Sequence, residues 1–177
     1  ATYALHLRRE GFLAAAAAEP ECHVEDLTAE ASGSSATYRL ETVWQAWLET
    51  AERETAVFCV SDHLACRFWS VCRACAPEVQ ARVCAIVGVG DAVAARVISG
   101  LDLTSVPLPG RTIGHHAAAR LERLLAGGTG VCCERIAPEG ITVRGSTSRY
   151  ASADPVVARA MGIALQTLDQ HLGVDEI

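Results

Sequence analysis

The chain has 177 residues, half of them hydrophobic and only 20% charged, which is enough apolar content for one well-buried domain and excludes a disordered chain. Its net charge of −6 is spread along the sequence, and the arginine pairs Arg8-Arg9, Arg120/Arg123 and Arg144/Arg149 are too sparse to make a phosphate-neutralising stripe, so tight nucleic-acid binding by this chain alone is excluded. No apolar run approaches the ~18–20 residues of a membrane span and no signal-peptide layout opens the chain, so a cytoplasmic location is expected.

Residues 1–18 read as a helix with Leu5, Phe12 and Leu13 among its apolar positions. A helix so early, with no strand before it and no initiator Met, leads to the expectation that the sequence is a fragment. Cys22–Leu27 is expected to be a short strand, and residues 30–35, rich in small residues, a turn or loop. Over Tyr38–Arg53 the apolar Leu40, Val43, Trp44, Trp47, Leu48 and Ala51 recur at three- and four-residue spacing, which predicts an amphipathic helix. Thr55–Val60 is too uniformly apolar for a half-exposed strand and predicts a buried parallel one.

A helix is predicted over His63–Cys75 and ended by Pro77, followed by a second buried strand, Val83–Val89, and a short helix, Asp91–Ile98. Leu103–Val106 gives a third strand, and Pro107 and Pro109 predict an exposed crossing segment because neither donates to a ladder. Gly110–Leu125 reads as an amphipathic helix closed by Gly127-Gly128. Val131–Ile136 and Ile141–Val143 flank the turn Pro138-Glu139-Gly140, which suggests a hairpin or an interrupted strand. Residues 148–153 read as a linker, and Asp154-Pro155 as the N-cap and first position of a final helix reaching Leu172. The alternation of strand and helix predicts an α/β fold with a parallel sheet.

Chemistry-bearing residues are few. Ser61-Asp62-His63 has the residue types of a hydrolytic triad, but sequence neighbours point apart and make no relay. Asp62 stands at the carboxyl end of a predicted parallel strand, the edge where open α/β sheets collect ligands. Cys72-x-x-Cys75 lacks a second pair at zinc spacing, and Cys59 and Cys84 lie in apolar runs, so reduced core thiols are expected. Val87–Val93 (VGVGDAV) follows a strand as a dinucleotide loop does, but lacks the third glycine. His115-His116 diverge on a helix and read as solvated. No catalytic residue, metal ligand or cofactor is expected, and the chain is not read as an enzyme.

LHLRREGF on the opening helix, VFCVSDHLA and VCAIVGVGD at successive strand ends, LTSVPLPGRTIGHHAAARLERLL and ITVRGST together resemble the effector-binding half of lac-repressor-like transcription regulators, which share the periplasmic sugar-binding-protein fold. The stretch from Arg144 to Ile177 is similar to the junction in xylose-operon regulators where that sensor runs into a helical DNA-binding domain of the AraC type. The resemblance implies that residues 1–147 form an effector domain, mostly the C-terminal lobe of a type I periplasmic-binding-protein-like fold, with residues 108–128 crossing to an N-terminal lobe that is largely missing. Residues 154–177 would begin a truncated helix-turn-helix domain. A sugar-like effector would bind between lobes, DNA would be bound only through the domain that follows, and the full-length protein would be a homodimer. Residue by residue, Arg8 matches an arginine that donates to sugar hydroxyls and Asp62 a ligand-contacting strand tip. Ser61 stands where the family has Asn, and Gly90 where it has an aspartate. Unless Asp91 swings in, the sugar loses a charge-assisted acceptor, a difference of about 1.5–3 kcal/mol; on this basis Gly90→Asp should leave sugar binding unchanged or improve it. Leu108 and Gly110 replace polar and aromatic ligand contacts. The alternatives are a solute-binding or sugar-modifying domain of similar architecture, and a nucleotide-dependent enzyme using Gly88–Val93.

Overall fold

The computed structural model describes residues 2–20, 22–28, 36–130 and 134–148. Three parallel strands, β1 (Thr55–Phe58), β2 (Val83–Gly90) and β3 (Thr104–Pro107), lie in the order β1-β2-β3. Helices α1 (Thr2–Ala16) and α2 (Ala36–Thr50) precede β1; α3 (Asp62–Arg73) and the single turn α4 (Pro77–Gln80) connect β1 to β2. Helix α5 (Val93–Ser99) connects β2 to β3, α6 (Gly110–Leu125) follows, and a 3-10 turn at Gly145–Thr147 ends the described chain. Parallel neighbours need such crossovers, and the strand-helix alternation of the sequence supplies them.

The core forms where α3 lies on β2, with α2 and α5 packed against α3. Phe68, Leu48, Leu103, Ile86 and Trp44 are buried there, and Trp44 meets the Phe68 ring edge-on at a centroid distance of 5.7 Å. Each large side chain removed from water here contributes about 1.5–3 kcal/mol. Helix α3 starts cleanly because Ser61 caps it, its hydroxyl accepting from the Leu64 N–H at 3.4 Å, with Asp62 in the first turn and Arg73 in the last. Pro77 opens α4 at a position where its missing N–H costs nothing.

Several expectations are corrected. Cys22–Leu27 forms no strand: Asp26 is held by Arg9 of α1 and by Thr28, Glu25 accepts from the Trp47 indole N–H, and no strand lies alongside among the described residues. Strand β1 stops at Phe58, has β2 as its ladder neighbour among the described residues, and leaves Ala56 exposed rather than buried. Helix α5 begins two residues later than predicted, since Asp91 takes a left-handed φ of 51°. Pro109 is buried rather than exposed, and Pro107 ends β3 opposite Gly90. Residues 131–133 of the expected hairpin or interrupted strand lie outside the described residues; within the described part, Thr142 makes an isolated antiparallel bridge with Ser105. Cys59, Cys66 and Cys72 are buried free thiols, but Cys84 is exposed. Helix α6 matches its predicted range yet has no buried residue, its Ile113, Leu121, Leu124 and Leu125 all exposed. The predicted linker beyond Ser148 and the final helix from Pro155 lie outside the described residues.

Candidate functional site: the carboxyl edge of the sheet

The parallel order brings the carboxyl ends of all three strands to one edge, and Asp62, the first residue of α3, sits on it. Its side chain is 1% exposed. One carboxylate oxygen accepts from the Ser105 hydroxyl at 2.6 Å, and the other from the Ala92 N–H, a very short contact. Asp62 thereby joins α3 to β3 and to the start of α5. The Ser105 hydroxyl, itself fully buried, also accepts from the Asp91 N–H at 3.0 Å.

This arrangement explains the glycines that resemble a nucleotide loop. A Cβ on Gly88 would lie 2.3 Å from the Asp62 carboxylate and 2.9 Å from the Leu103 side chain, so only glycine lets the carboxylate rest against β2. Gly90 has φ +132°, a conformation that L side chains rarely adopt, and a Cβ there would stand 3.6 Å from the second Asp62 oxygen. The N–H at the entrance to α5, where a dinucleotide loop would meet phosphate, is already bonded to Asp62. The local geometry therefore argues against nucleotide binding by Gly88–Val93.

Of the residues singled out in the sequence, Asp62, Gly90 and Asp91 are brought together on this edge. Asp91 turns its carboxylate to Arg144, whose Nη2 is 2.7 Å away, and lies 3.8 Å from Arg96 Nε. Arg8 reaches the same edge from α1, its Nη1 donating to the Val60 carbonyl at 2.9 Å, two residues before Asp62 in the chain. Helix α1 is held there by the Phe12 ring stacked on Phe58 at 4.4 Å and by the Arg9–Asp26 ion pair. Ser61 and His63 take no part with Asp62 in a relay: the one caps α3, the other is exposed. His116 of α6 pairs with Glu134 at 2.7 Å on the protein surface.

Sequence reasoning missed Ser105, Gly88 and Arg144. A serine inside the apolar run LTSVPLP is a usable signal, since a buried hydroxyl needs a partner. Arg144 lay in a quoted motif, ITVRGST, but nothing local indicated that its side chain would meet Asp91.

A three-stranded parallel sheet with polar side chains at its carboxyl edge belongs to the open α/β class, whose ligands collect at that edge. Residues 2–147 match the periplasmic binding protein-like domain, and the chain belongs to that family. The chain is 29% identical to the xylose operon regulatory protein of Escherichia coli strain K12, over 91% of this chain and 44% of that protein, and the O157:H7 protein matches equally. Among solved structures, a xylose-binding transcription activator aligns with a TM-score of 0.50 at 25% identity, over 78% of this chain and 36% of that one. The chain thus spans less than half the length of the relatives it matches.

Proposed function

We propose that this chain is the effector-sensing part of a sugar-responsive transcription regulator and has no enzymatic activity of its own. The observation that carries the reading is the likeness to the xylose operon regulators across 91% of the chain, on a lobe whose sheet edge gathers Arg8, Asp62, Gly90 and Asp91. In this reading a pentose-like effector lies on the carboxyl edge and is closed over by a second lobe, reached through α6. Arg8 supplies N–H donors to vicinal hydroxyls, and its fixed fork suits them. Asp62 acts mainly through others: both of its oxygens are engaged, so it holds the Ala92 end of the loop and touches the effector only by giving up a bond.

The signal is a population shift. An effector that binds the closed arrangement better than the open one favours closure by that difference in affinity, and the lobe rotation changes how paired DNA-binding domains are held. Those domains, of the AraC helical type, would follow residue 154 in the complete, homodimeric, cytoplasmic protein. Calorimetric titration of the full-length protein with a panel of pentoses and hexoses tests this. One sugar should bind with a saturable heat and alter retention of the upstream promoter DNA; a panel with no binder would remove the reading.

A further inference from the structure

We propose that Arg144 is a positioning residue of the carboxyl edge, fastening the loop Gly90–Ala92 to the returning segment 142–147 so that the two move as one piece. The segment itself is stitched along β3. Thr142 exchanges both backbone hydrogen bonds with Ser105, at 2.9 and 3.1 Å. The Arg144 N–H donates to the Thr104 hydroxyl at 2.8 Å, the Gly145 N–H to Asp102 at 2.9 Å, and the Ser146 hydroxyl to the Ile86 carbonyl at 2.6 Å. These contacts place the segment and explain nothing about the loop.

The Arg144 side chain reaches beyond them. Only 12% exposed, it donates from Nη1 to the Leu103 carbonyl at 2.8 Å and sets Nη2 2.7 Å from the Asp91 carboxylate. Asp91 is the non-glycine residue with a left-handed φ, 51°, among the described residues, and it follows Gly90 at φ +132°. Two consecutive positive-φ residues make a loop that backbone preference alone does not hold in place. It is held instead from three sides: Ser105 accepts from the Asp91 N–H, Asp62 from the Ala92 N–H, and Arg144 faces the Asp91 carboxylate. Since Ser105 also carries the bridge to Thr142, the contacts close into a ring through Asp62, Ser105, Thr142, Arg144 and Asp91.

A second guanidinium faces the same carboxylate oxygen. Asp91 Oδ1, the oxygen 2.7 Å from Arg144 Nη2, also stands 3.8 Å from Arg96 Nε, a buried N–H with no hydrogen-bond partner among the described residues. Buried polar atoms normally find partners. Asp91 thus stands between a guanidinium on the returning segment and one on α5, and a ligand that displaces the loop alters the pull on segment 142–147.

The test uses the full-length protein and the variants Arg144→Gln, Arg144→Lys, Asp91→Asn and the double Asp91→Asn/Arg144→Gln. Amide hydrogen exchange is the readout that needs no ligand. The two neutral variants should each speed exchange of the Asp91 and Ala92 amides by about tenfold, leave Ile86 and Phe68 unchanged, and be no worse in combination. Lysine at 144 should recover part of the protection, since it keeps the charge but loses the fork. Unchanged exchange at residues 91–92, acceleration spread evenly over the lobe, or fully additive effects in the double variant would overturn the proposal. D-xylose calorimetry on the same variants rests on the reading above: a weakening of about five- to tenfold is expected for Arg144→Gln although Arg144 need not touch the sugar. If the wild type ignores D-xylose while the exchange pattern holds, the sugar reading fails and the fastening stands.

Discussion

At the scale of single residues, Asp62 carries more structural than binding weight. Asp62→Ala removes the acceptor of the buried Ser105 hydroxyl and of the half-buried Ala92 N–H at once, and should cost about 2–4 kcal/mol of stability in a urea titration. An expectation read from the sequence alone, that Gly90→Asp would leave sugar binding unchanged or improve it, is reversed by geometry. At φ +132° any side chain is strained by about 1–3 kcal/mol, and this one would set a second carboxylate beside Asp62. Gly90→Asp should lower the unfolding midpoint and weaken any ligand bound at this edge; a variant as stable as the wild type would contradict the backbone description. Burial pushes the Cys59 thiol up to about 12 from an ordinary value of 9.0, with smaller contributions from Cys66 and Asp62. A raised value in the folded state means that the associated stability is complete below pH 9 and is lost as pH climbs towards about 12. Urea midpoints measured from pH 8 to 11 should therefore fall more steeply for the wild type than for Cys59→Ala.

Among the elements, α1 is held by Arg8, Arg9 and Phe12, and its Arg9–Asp26 pair carries a pH signature. The Arg9 guanidinium beside Asp26 holds that carboxyl below its ordinary value of 3.8, with Thr28 adding two hydrogen bonds. The stability it contributes is present above the ordinary carboxylate value and lost as pH falls through the depressed one, so Asp26→Asn should flatten the acid limb of a stability–pH curve. The elements that sequence made legible are those whose signal is local: the three- and four-residue spacing of α2, the apolar runs of β1 and β2, and α6 from Gly110 to Leu125. The misread ones depend on neighbours. Cys22–Leu27 has strand-like residues but no strand beside it among the described residues, and β1 is legible in its position but not in its covering. The site followed the same division. Asp62 was visible at a strand end, whereas Ser105 and Arg144 act across 43 and 41 residues of sequence, where no spacing rule applies.

For the whole molecule, a parallel-sheet lobe of the periplasmic binding protein-like family presents its carboxyl edge while α6 stands with its apolar residues exposed. Such a helix has little reason to hold its face in water, and in the two-lobed reading the second lobe covers it. The central claim is that the edge bearing Arg8 and Asp62 receives a sugar. It is tested most directly by titrating D-xylose into the full-length protein and into its Arg8→Ala variant by calorimetry. The account predicts saturable binding by the wild type and a loss of about 1–3 kcal/mol in the variant, with no matching loss of stability, because one charged hydrogen-bond donor is removed from a half-buried position. Equal affinity in the two proteins would contradict it.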